Sequence, residues 1–156
     1  MAIKKPLVIG SNGEIEQLQA GDNILAGSTT QSFSAINENA GAISQGQVVF
    51  VSSSGSVNLA NNTAEATAKA IGVVEDASIA STASGNVLTD GAITVADWTA
   101  IAGAPTLTAG SVYFLDGVDG NITTIPPILA GSYVVRIGTA ISTTTLEVSI
   151  SRPIKL

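Results

Sequence analysis

The sequence contains no cysteine and no histidine. Without cysteine there is neither a disulfide framework nor a thiolate metal site. Without histidine the usual general base and the commonest metal ligand are missing, and every Ser-His arrangement goes with them. Aromatic residues are 4% of the chain and charged residues 12%, against about 25% charged in an ordinary globular domain. No apolar run approaches the roughly 18 residues of a membrane helix. There is no GxGxxG and no phosphate-binding loop. The start, Met1-Ala2-Ile3-Lys4-Lys5-Pro6, lacks the apolar core of a secretion signal. Cytoplasmic synthesis, with no membrane contact, is therefore expected.

What is present is 45% hydrophobic residues in 156, mixed with Gly, Ser, Thr, Asn and Ala. That is enough apolar matter to bury a core, and it suits short strands and tight turns rather than disorder. The net charge of −6 is unevenly distributed. Lys4, Lys5, Arg152 and Lys155 lie near the ends, while residues 6–151 hold two cations, Lys69 and Arg136, against twelve acids, a net of −10. An acidic body without a basic, aromatic-laced patch repels phosphate backbones, so nucleic acid is not an expected partner.

The chain writes one phrase twice. Gly46-Gln47-Val48-Val49-Phe50-Val51 returns as Gly110-Ser111-Val112-Tyr113-Phe114-Leu115. Gly55-Ser56-Val57 is answered by Gly120-Asn121-Ile122, and Ala70-Ile71-Gly72-Val73 by Arg136-Ile137-Gly138-Thr139. A Gly followed by a β-branched and aromatic run reads as a strand leaving a tight turn. The fold class that follows is all-β, a short-stranded sandwich or barrel built from two related β modules plus an N-terminal arm. Residues 1–38 are the arm and hairpin, 39–97 the first module and 98–156 the second, together one compact unit.

Within this plan, Leu7-Val8-Ile9 and Glu14–Leu18 flank an Asn-Gly turn and predict a hairpin. Gln47–Val51 and Ser56–Leu59 predict another. Asn62 with Glu65 has capping-box spacing before a short Ala-rich helix. Asp90-Gly91 reads as a turn between Val87-Leu88 and Ile93–Val95. Tyr133–Ile137 and Thr145–Ile150 are the most regular strands, and Leu146, Val148 and Ile150 alternate with polar residues. Phe50, Trp98, Tyr113, Phe114 and Tyr133 are read as core or oligomer-interface aromatics, with Val48/Phe50 and Val112/Phe114 at equivalent core positions.

Carboxylates are the remaining candidates for chemistry. Glu75 and Asp76 are adjacent, so on a strand they point to opposite faces. Asp116 and Asp119 each precede a Gly, for which a turn role suffices. With Asn121 they offer oxygen to a cation, yet a full calcium site needs six or more ligands. No catalytic residue, metal site or cofactor is expected, and the chain is not read as an enzyme.

Two stretches carry a family resemblance. Lys5-Pro6-Leu7-Val8-Ile9 through Glu14-Ile15-Glu16-Gln17-Leu18-Gln19-Ala20-Gly21-Asp22 resembles the opening of many tailed-bacteriophage virion proteins. Leu107–Leu115, continuing through Gly131–Ala140 to Leu146, is similar to β modules of phage fibre and tail proteins. Gly46–Val51 with Ala70-Ile71-Gly72-Val73-Val74-Glu75-Asp76-Ala77 resembles a module of phage capsid cement proteins. The resemblance implies a structural protein of the virion. It favours a decoration protein, made in the host cytoplasm, that sits on the capsid exterior. Its implied partners are the major capsid protein and itself, as a homotrimer. A fibre or tail component is the alternative, and a carbohydrate-binding β domain a more distant one. Lys4, Lys5, Pro6, Leu7, Val8 and Ile9, outside the repeat, are the expected capsid-docking arm, an extended segment of the kind that adds to a sheet edge or fills a groove.

Overall fold

The computed structural model describes residues 7–9, 15–17 and 30–156. Its strands are β1 (Leu7–Ile9), β2 (Ile15–Gln17), β3 (Gln31–Asn37), β4 (Ile43–Ser44), β5 (Val48–Ser53), β6 (Ser56–Leu59), β7 (Ala70–Val74), β8 (Ser78–Ile79) and β9 (Ser84–Thr94). They continue with β10 (Val112–Leu115), β11 (Ile122–Thr123), β12 (Tyr133–Val134), β13 (Arg136–Ala140), β14 (Thr145–Ser149) and β15 (Ile154–Lys155). Two single-turn helices, α1 (Glu65–Ala68) and α2 (Thr99–Ala102), complete the described elements. The protein is an all-β barrel extended into a sandwich-like fold, as the composition predicts.

Five strands close the barrel. The order β9-β3-β6-β5-β7 is completed by pairing of β7 back onto β9. Three doublets, Val48-Val49, Val73-Val74 and Val87-Leu88, are buried throughout. Successive side chains on a strand face opposite ways, so each doublet serves two cores. Val49, Val57, Val74, Val87 and Ala35 supply one residue from each barrel strand to the interior, with Ile43 and Ile79 joining them. Val48, Val73 and Leu88 point outward into a second, larger core shared with Trp98, Tyr113, Leu115, Ile137, Leu146 and others.

The second core exists because the repeat is structural. Strand order β6-β5-β7-β9 in the first copy matches β11-β10-β13-β14 in the second. The register matches too. Phe50 pairs with Asn58 and Val51 with Val57; Phe114 pairs with Thr123 and Leu115 with Ile122. Each copy has a bulge at the same place, with Ile71 and Ile137 as the extra residues. Beside each bulge a glycine is required. A Cβ on Gly72 would lie 2.5 Å from the Leu88 carbonyl oxygen, and one on Gly138 would strike the Glu147 carbonyl oxygen. Leu88 and Glu147 are themselves equivalent positions, paired with Val73 and Thr139.

Strand β3 falls within the stretch assigned from sequence to the arm, yet it closes the barrel. It runs parallel to β6 and antiparallel to β9. Phe33, Ala35 and Asn37 alternate inward, a period-2 signal in Gln-Ser-Phe-Ser-Ala-Ile-Asn. Asp90-Gly91 is not a turn. It lies inside the eleven-residue β9, where Gln31 pairs with Asp90 and Ser32 with Leu88, leaving Thr89 as a bulge. Gly91 at φ 114° packs against Thr30. Asp-Gly tolerates both geometries, and the shared sheet decides between them. Phe50 and Phe114 are half-buried, Phe50 packing against the larger core, and Val112 is 36% exposed where Val48 is 0%. Equivalent positions therefore meet unequal surroundings: the second copy covers the outer face of the first, and nothing described covers its own.

Because the obstacle at both glycines is backbone, Gly72→Ala and Gly138→Ala should each cost about 1–3 kcal/mol, the range for overpacking. Gly117→Ala, whose Cβ would meet nothing closer than 3.5 Å, should be near neutral. Urea denaturation measures all three. A neutral result at either Gly72 or Gly138 would contradict the matched geometry.

Candidate functional site

The seam between the two copies is built on Asn61 and Asn62. Asn62 does not cap α1, whose N-cap is Ala64 with no side-chain cap bond. Instead Asn62 is 7% exposed and donates its Nδ2 to the Leu115 carbonyl at 2.9 Å. Its backbone N–H donates to Asp116 O, and its own carbonyl accepts from Tyr133 N–H. Asn61 Oδ1 accepts from Thr63 and Thr67, stabilising the turn that leads into α1. Asn61 Nδ2 reaches across to Asp119 Oδ1 at 2.7 Å. Gly120 N–H donates to Ala60 O, and Val48 N–H to Gly120 O. The loop 116–120 of the second copy is thus bonded onto the segment that links β6 to β7 in the first.

Beside the seam lies a groove of about 660 Å³, walled by Asn62, Thr63, Asp116 and Gly117 on one side and by residues 125–132 on the other. Its outer wall is an apolar run. Ile125 is 74% exposed, Ile128 88% and Leu129 75%. A run of consecutive exposed apolar residues this long is a liability unless something covers it. Adjoining it, Glu65, Lys69, Arg152 and Lys155 line a smaller groove with Tyr133 and Pro153. Lys69 is bridged to Glu65 at 3.1 Å, and both are well exposed, so that pair contributes little to stability.

Asp116 lines the groove and Glu65 the smaller one, and several acidic groups serve local structure. Asp76 accepts from Asn86 N–H at 2.8 Å and from its side-chain amide at 3.2 Å. Asp116 accepts from Gly117 N–H. Glu38 takes the Ser52 and Ser53 hydroxyls at 2.6 Å each, and these bonds hold its carboxyl below the ordinary Glu value. The Thr99 hydroxyl and N–H do the same for Asp97. Among the described residues no group of three or more His, Cys, Asp or Glu is placed to hold a metal ion. Of the carboxylates weighed from sequence, Asp116 lines the groove, Asp119 accepts from Asn61 and Asp76 is bonded to Asn86.

Of the aromatic candidates, Trp98 is fully buried and donates its indole N–H to Thr144 O at 3.0 Å. Tyr113 is 4% exposed, with its hydroxyl accepting from Thr108 N–H, and Tyr133 is 8% exposed. Phe50 and Phe114 are half-buried, as above. Of the arm, Lys4, Lys5 and Pro6 lie outside the described residues. Leu7, Val8 and Ile9 form β1, paired antiparallel with β2 through Leu7–Gln17, Val8–Glu16 and Ile9–Ile15, a two-stranded sheet separate from the barrel sheet. The crossover Ile125–Leu129 carries no marker in the sequence beyond Pro126-Pro127, which break any ladder. The available signal was the density of large apolar residues around two prolines, where no strand can form.

Asn62→Ala should cost about 1–3 kcal/mol, because it strands a buried carbonyl of the opposing copy. Asn61→Ala, which breaks four side-chain hydrogen bonds, three of them exposed, should cost less. Equilibrium denaturation distinguishes them, and an Asn62→Ala variant as stable as the parent would remove the seam from the account.

No protein-family model matches the chain, and no curated protein matches it.

Proposed function

We propose that the chain is a non-enzymatic structural protein of a tailed-bacteriophage virion, a decoration protein that binds the outside of the head and stabilises it. The observation that carries this reading is the joint presence, in one short chain, of the virion-type opening at Lys5–Asp22 and two copies of a cement- or fibre-like β module. The absence of His and Cys and the local bonds of Glu38, Asp76, Asp97 and Asp116 support a role in binding rather than catalysis. A carbohydrate-binding domain would need exposed aromatic platforms, whereas Trp98, Tyr113 and Tyr133 are buried.

The partners on this reading are the major capsid protein and further copies of the chain, as a homotrimer. Residues 4–9 are the arm that engages the shell by strand addition or by lying in a groove between subunits. One such site is weak, and three on a trimer bind with avidity. The fibre or tail alternative rests on the second module, Leu107–Leu146, whose phrasing is shared with such proteins.

Gel densitometry of purified particles separates the two. A decoration protein appears at a stoichiometry comparable with the major capsid protein, and a fibre or tail component at a small fraction of it. In reconstitution, deleting residues 2–12 should leave a folded protein with near-normal melting temperature that no longer binds stripped heads. Unchanged occupancy by the truncated chain would show that the arm is not the anchor. Absence of the full chain from head surfaces would overturn the decoration reading itself.

A further inference from the structure

The two copies of the module are alike in topology and register but unlike in what covers them. In the first copy the crossover from β6 to β7, residues 60–69, is roofed by the second copy. Ala60 and Ala68 are fully buried and Asn62 nearly so, and the roof is the loop 116–120 with its seam hydrogen bonds. In the second copy the equivalent crossover, from β11 to β13, has no such roof among the described residues. Its later part is paired with β15, but Ile125, Ile128 and Leu129 face solvent.

The covering element is mismatched in the opposite sense. The counterpart of loop 116–120 in the first copy is the β5–β6 hairpin tip, Ser52–Gly55, and it covers nothing described. Its four residues are exposed. Two large apolar residues flank it: Val51 is 52% exposed, and Ile36, whose N–H donates to Gly55 O, is 43% exposed. Among the described residues the two repeats thus leave one apolar crossover and one hairpin tip uncovered. Repeat proteins ordinarily finish their unpartnered faces with polar caps. Charge is complementary as well. Arg152 and Lys155 adjoin the crossover, beside the Lys69–Glu65 pair, while the tip carries the Glu38 carboxylate, bonded by the Ser52 and Ser53 hydroxyls.

We propose that the crossover Ile125–Leu129 of one chain docks against the β5–β6 hairpin tip of a second copy of this chain, repeating between chains the arrangement that already joins the two modules within one. Such a contact is heterologous, one surface meeting a different one, so it grows head to tail into a ring or an open filament. The proposal deepens the self-association put forward above, yet it stands apart from particle binding. A chain that oligomerises and ignores heads keeps this interface and loses the decoration role. A chain that coats heads as isolated monomers does the reverse.

The test uses the full chain and two exposed-surface variants, Ile128→Asp with Leu129→Asp in one and Val51→Asp in the other, with mass read by light scattering after size exclusion. The wild type should be an oligomer and each variant alone a monomer. Mixed in equal amounts, the two should form a heterodimer and nothing larger, because each retains one intact end. A monomeric wild type, an oligomeric variant, or a mixture that stays monomeric would each overturn the pairing. Should either variant lose its cooperative melting transition, Ile128→Ser with Leu129→Ser and Val51→Thr provide the same readout with less disruption to the strand and loop.

Discussion

Strand β9 has to satisfy two sheets at once, and the rest of the architecture depends on how it does so. Its first half pairs with β3 on one side and β7 on the other, closing the barrel. Its second half, Asp90–Thr94, pairs with β14 and carries the second copy of the module. A straight strand cannot follow both curvatures. The bulge at Thr89 and the positive φ of Gly91 bend it between them. In the second copy this half of β9 stands beside β14 where β3 stands beside β9 in the first. The sharing therefore also explains why the first copy is a closed barrel and the second an open one, with β11 at its edge.

From that shared strand come two cores with one set of strands between them. The Val-Val and Val-Leu doublets are the chemical expression of this, since a strand buried on both faces has no polar position to spare. The seam then fixes the spacing of the layers with hydrogen bonds rather than with bulk. Asn62 lies between apolar surfaces, where an unpaired amide would be costly. It is satisfied by carbonyl and amide groups of the opposite copy, so the two modules are held in one relative position.

Much of this was legible in the sequence because the repeat is written in residue types with strong local preferences. Gly46 and Gly110, at φ 86° and 82°, and Gly55 and Gly120, at φ 77° and 75°, announce matching turns. The strands between them are β-branched. Other features were not legible because they depend on partners distant in sequence. Asp90-Gly91 has the chemistry of a turn and was decided by β3 and β14. Asn62 has the spacing of a helix cap and was decided by Leu115. The inward face of β10 is Tyr113 and Leu115 rather than Val112 and Phe114, a phase that an uninterrupted apolar run does not reveal. Strand β3 is hard to read because its alternation is carried by small and polar residues. At the candidate site, exposure of Ile128 and Leu129 is a property of packing, since the same residues would suit a buried loop.

If β9 joins the copies into one cooperative unit, they cannot unfold separately. Native-state hydrogen exchange on β9 tests this most directly. The slowest amides in Gly85–Leu88 and in Ala92–Thr94 should exchange with the same free energy, equal to that of global unfolding, and with the same denaturant dependence. A distinctly lower free energy for one half, with the other still protected, would mean that barrel and open sheet are independent modules and that the shared strand is not the constraint on which the fold depends.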